Sequence, residues 1–61
     1  MIHNIIEILE KRGIKKSWFA DELGVSHSLI SHWISGKRKS YKKHIPKICK
    51  ILNVSLDEIN N

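Results

Sequence analysis

The side chains with hydrogen-bonding chemistry gather in one stretch, SHSLISHWISGKRK, residues 26–39. Serines stand at 26, 28, 31 and 35 and histidines at 27 and 32, with no Lys, Arg, Asp or Glu among them. Lys37, Arg38 and Lys39 then follow without a break. Hydroxyls and neutral imidazoles both donate and accept, so they can meet either kind of polar edge. Adjacent cations attract a polyanion whatever its sequence. The two halves therefore suit two tasks on one partner.

Other chemistries fit the residues poorly. His27 and His32 are five apart, as are His44 and Cys49. Five residues turn a helix by about 140°, so such side chains diverge, whereas zinc-binding pairs on one helix stand four apart. We expect no metal and no cofactor. There is no Ser-His-acid set, no carboxylate pair and no phosphate-cradling loop, and an enzyme is not expected. Nothing indicates a small-molecule ligand. The lone Cys49, in KICKIL, is expected as a buried thiol in a reducing, cytoplasmic setting. No apolar run approaches the ~18 residues of a membrane span. The start, MIHNIIEILEKRG, is interrupted by Glu7 and lacks the pattern of a signal peptide.

Charge is unevenly placed. Eleven Lys and Arg face six Asp and Glu, a formal net charge of +5. No acid lies between Leu23 and Leu56, where Lys37, Arg38, Lys39, Lys42, Lys43, Lys47 and Lys50 fall. Such a one-sided field fits a polyanionic partner, with a solvated, lysine-rich surface as the alternative reading of the charge run alone.

The elements that must position these groups are helices. Ile and Leu recur three or four apart and no strand-like alternation persists, which predicts an all-α, compact five-helix domain spanning residues 1–61. Helix one is expected over Ile2–Lys11, ended by Gly13, with Arg12 at the negative end of its dipole. Helix two is expected at about 16–23, burying Phe19, Ala20 and Leu23 before a left-handed Gly24. Ser26 reads as the N-cap of helix three, at about 27–35, and Gly36 as its stop. On a helical wheel with His27 at 0°, Ser31, Ser35, Ser28 and His32 fall at about 40° to 140°. Leu29, Trp33, Ile30 and Ile34 fall at about 200° to 340°. One face is uncharged and polar, the other apolar. Helix four is expected over about Lys43–Leu52, with Pro46 in its first turn and Ile45 biased away from α geometry. Ser55 and Glu58 form a capping box for a short fifth helix.

Two helices joined by a turn at Gly24-Val25 make a helix-turn-helix. The stretch GIKKSWFADELGVSHSLISHWISGKRK resembles that of the Cro and lambda-repressor-like (XRE-type) DNA-binding family. The resemblance lies in Phe19-Ala20, Leu23-Gly24-Val25-Ser26, Ile30-Ser31, Trp33 and Gly36-Lys37-Arg38, and in the ending ILNVSLDEI. It runs without a gap from Ile5 to Ile59. It implies that helix three is the recognition helix, entering the major groove of double-stranded DNA while helix two crosses near the backbone. The family's base-reading positions fall on His27, Ser28 and His32, with Ser31 a fourth candidate. Its backbone-contacting positions fall on Lys16, Ser26, Ser35, Lys37, Arg38 and Lys39. Tyr41, Lys42 and Lys43 are further backbone candidates. Lys15, Trp18, Ile34 and Pro46 depart from the family pattern.

The resemblance further implies a phage-type or prokaryotic repressor that binds an inverted repeat as a homodimer, at least on DNA. Ile6, Leu9 and Ile59 are candidate dimer surfaces. Trp18 is expected to pack partly between helices, Trp33 in the core, and Tyr41 either on a phosphate or over the core edge. Two other functions compete: a protein-interaction module such as an antitoxin or adaptor, working through Ile6, Trp18 or Ile34, and a non-specific nucleic-acid coat.

Overall fold

The computed structural model describes residues 1–60. Among them the chain forms five α-helices and no strand: α1 Ile2–Arg12, α2 Lys16–Leu23, α3 His27–Ser35, α4 Ile45–Leu52 and α5 Leu56–Asn60. A 3-10 turn, Ser40–His44, leads into α4. The caps explain the boundaries. Gly13, Gly24 and Asn53 each take a left-handed conformation after α1, α2 and α4. At each of the three ends the next two amides return to the last helical turn, as with Gly24 N–H to the Asp21 carbonyl (3.2 Å) and Val25 N–H to the Ala20 carbonyl (3.0 Å).

Gly24 sets the angle between α2 and α3 with φ +79°. A Cβ built there would meet only Lys47 Nζ, at 4.0 Å, so space is available and conformation is the obstacle. Gly24→Ala should destabilise the domain by about 1 kcal/mol and lower Tm by roughly 5 °C in a thermal melt.

The core is formed where α1 crosses α3 and α5, and α4 packs on α2 and α5. Ile5, Leu9, Phe19, Trp33, Ile48, Leu52 and Ile59 have almost no exposed surface. Asn4 Nδ2 donates to the Ile59 carbonyl at 3.0 Å and ties the first helix to the last. The Arg12 guanidinium donates to the Leu52 carbonyl, so it neutralises the C-terminal end of α4 as well as lying at the end of its own helix. Glu58 accepts from Ser55 N–H at 3.4 Å, the reach-back half of the expected capping box.

Five expectations change. Helix four begins at Ile45, not Lys43: Lys43 and His44 belong to the 3-10 turn. Ile45 itself is α-helical (φ −53°, ψ −47°), because the turn delivers the chain already wound and Pro46 removes only a first-turn N–H that has no helical partner. Leu9 and Ile59 face inward rather than offering a dimer surface, because α5 folds back on α1. Trp18 is 48% exposed beside Gly13, Ile14 and Lys15 instead of lying between helices. Cys49 is half-buried. No helix is long and apolar enough to cross a membrane.

Candidate nucleic-acid interface

α3 is bounded by chemistry at both ends. Ser26 Oγ accepts from Leu29 N–H at 3.1 Å, which satisfies one of the free first-turn donors. Gly36, at φ +81°, returns its amide to the Trp33 carbonyl at 3.2 Å. Between these caps Ile30 and Trp33 are buried, and Leu29 and Ile34 half-buried. His27, Ser28, Ser31 and Ser35 are exposed, and His32 is half-buried. His27, Ser28, Ser31 and Ser35 thus share one solvent face of the helix, and His32 is partly withdrawn from it. Nine residues make a rod about 13 Å long, close to the ~12 Å width of the major groove.

The basic loop beyond α3 is fastened rather than loose. Trp33 Nε1–H donates to Ser40 Oγ at 2.9 Å, across the cationic run. Arg38 N–H donates to the His32 carbonyl at 3.2 Å. Tyr41, 9% exposed, stands edge-on to Trp33 with ring centroids 6.1 Å apart, and the His44 ring lies 5.6 Å away. Trp33 therefore anchors both ends of the segment carrying Lys37, Arg38 and Lys39, whose side chains are exposed. Lys42 and Lys43 are exposed on the following 3-10 turn, as is Lys16 at the start of α2. Lys15 precedes α2 with no side-chain cap, so the amides of that first turn are open to an anion.

Some of the expected contacts already have intramolecular partners. Ser35 Oγ donates to the His32 carbonyl at 3.2 Å. His27 Nε2 lies 3.0 Å from Asp21 Oδ1. Tyr41 is largely committed to the core, which fits covering the core edge better than reaching for a phosphate.

Three contributors escaped the sequence. Ser40 serves the buried indole, and the signal for it was general: a buried Trp N–H needs an acceptor. Asp21 engages His27 across the turn. Lys47 carries its ammonium over the α2–α3 turn at Gly24. Among the described residues no three His, Cys, Asp or Glu gather as metal ligands.

Two helices at a Schellman-type turn, the second with a polar outer face and a pinned cationic loop after it, make a DNA-binding geometry. The family model described as Helix-turn-helix matches residues 5–59. This chain belongs to the Cro and lambda-repressor-like (XRE-type) helix-turn-helix family. Like the family, it is a DNA-binding regulator of XRE type. The match spans all five helices, from within α1 to within α5, so the family fold is carried by the whole described domain. No curated protein and no solved structure is a significant match to it.

Proposed function

We propose that this XRE-type protein is a sequence-specific repressor that docks α3 in the major groove of an inverted-repeat operator. The observation that carries this is the division on one helix and its loop: an uncharged, exposed Ser/His face, then cations held in place by Trp33. His27, Ser28, Ser31 and His32 meet base edges. Lys16, Ser26, Ser35, Lys37, Arg38 and Lys39 meet phosphates, with Lys42 and Lys43 beside them. The chain binds as a two-fold dimer with half-sites about 34 Å apart, or a multiple of that. Occupying DNA suffices to block transcription, so repression needs only the DNA-binding face and a contact between the two copies.

The test is by residue. His27→Ala and Ser28→Ala should each reduce discrimination between the preferred operator and its single-base variants by about fivefold, the size of one hydrogen bond. Their affinity for unrelated DNA should be unchanged. If both instead weakened every sequence alike, base reading by α3 would be wrong.

An adaptor or antitoxin is the competing function, favoured by Trp18 at 48% and Leu56 at 51% exposed. It requires that Trp18→Ala abolish biological activity while operator affinity stays intact.

A further inference from the structure

His27 is the first residue of α3, and Asp21 stands in the last turn of α2. Their side chains meet across the turn, with Nε2 3.0 Å from Oδ1. Both are well exposed, 60% for His27 and 71% for Asp21, so the pair contributes little to stability. An acid at this place also repels a phosphate backbone. We infer that Asp21 is a positioning residue for base recognition: by accepting the Nε2–H of His27 it makes Nδ1 an acceptor and directs His27 to an amine-bearing base, adenine or cytosine.

The chemistry follows from the groups. An ionised carboxylate can only accept, so the nitrogen facing it carries the hydrogen. A neutral imidazole has one N–H, which leaves Nδ1 with a lone pair. In the major groove the amine donors are N6 of adenine and N4 of cytosine. Guanine N7 and O6 and thymine O4 are acceptors and would face Nδ1 unfavourably. Without Asp21 the ring is free to exchange its proton between nitrogens or to turn over, and its preference blurs. Fixing a histidine tautomer through its other nitrogen is the device familiar from metal-bound imidazoles. This inference rests on the base-reading role of α3 proposed above.

The test compares wild type, Asp21→Ala, His27→Ala and the double variant at one fixed pH of 8. Affinities are measured for the selected operator and for all single-base variants of one half-site. Wild type should prefer adenine or cytosine at the position where His27→Ala loses discrimination. Asp21→Ala should improve binding of guanine at that position alone, by about fivefold relative to the preferred base. In the His27→Ala background the second substitution should change no base preference. A gain of the same size for every sequence in Asp21→Ala, with base preference unchanged, would overturn the inference, since Asp21 would then act only as a negative charge. So would a guanine or thymine preference in wild type, or no position sensitive to His27. If wild type discriminates among no sequences, the base-reading proposal falls first and takes this one with it. If it discriminates but Asp21→Ala leaves the pattern intact, only the Asp21 role falls.

Discussion

Trp33→Ala should leave the chain without a cooperative fold at 25 °C. The side chain is 1% exposed, at the centre of the core beneath α3. Truncating a buried Trp costs about 3–5 kcal/mol. A domain of this size has roughly 3–9 kcal/mol in total, so between about a third and all of its stability goes with the side chain alone. A second loss compounds the first. Ser40 loses its indole partner, and Tyr41 and His44 lose the ring they pack against. Trp33→Phe separates the two effects. It keeps much of the apolar burial but removes the Nε1–H bond, and should cost about 1–3 kcal/mol. Circular dichroism during urea unfolding reads both. A Trp33→Ala variant that still melted cooperatively near the wild-type temperature would show that the core is organised elsewhere.

Removing Lys37 and Arg38 together should cost about thirtyfold in DNA affinity at 0.15 M salt, equally for preferred and unrelated sequences. Each released counterion contributes a factor of about five at that salt, and about fifteen at 0.05 M. The logarithmic salt slope should flatten by roughly one unit per residue removed. Both side chains are exposed and outside the core, so the fold should survive. Binding titrations across a salt series check this. A loss that depended on sequence, with the slope unchanged, would place these residues at bases rather than phosphates.

How much of this was legible without coordinates depended on how local the cause was. The limits of α3 could be read because Ser26 and Gly36 act within one turn of the helix they bound. The same holds for Gly13, Gly24 and the Ser55–Glu58 box. The start of α4 was not legible, because the 3-10 turn exists where Tyr41 finds Trp33, eight positions earlier, and no local propensity encodes that pairing. Leu9 and Ile59 looked surplus to a core judged helix by helix. They turn inward because α1 and α5 meet across fifty residues of sequence. Trp18 has apolar area enough for either side of α2, and composition does not choose between them. For the interface, the division into a polar face and a cationic loop was visible as a pattern. The Asp21–His27 pair was not, since exposed side chains take their partners from small differences in energy. Sequence did show an acid near the end of α2 and an imidazole at the start of α3. Only the geometry of the turn brings them within 3.0 Å.

The central claim is that α3 reads bases while the loop after it holds the backbone. Selection of double-stranded sites from random DNA at about 0.15 M salt tests it most directly. The predicted result is an enriched inverted repeat whose half-sites lie about 34 Å apart, or a multiple of that, with adenine or cytosine at the position lost in His27→Ala. Recovery of DNA without any enriched motif, bound no more tightly than scrambled sequence, would contradict the account and leave a non-specific coat in its place.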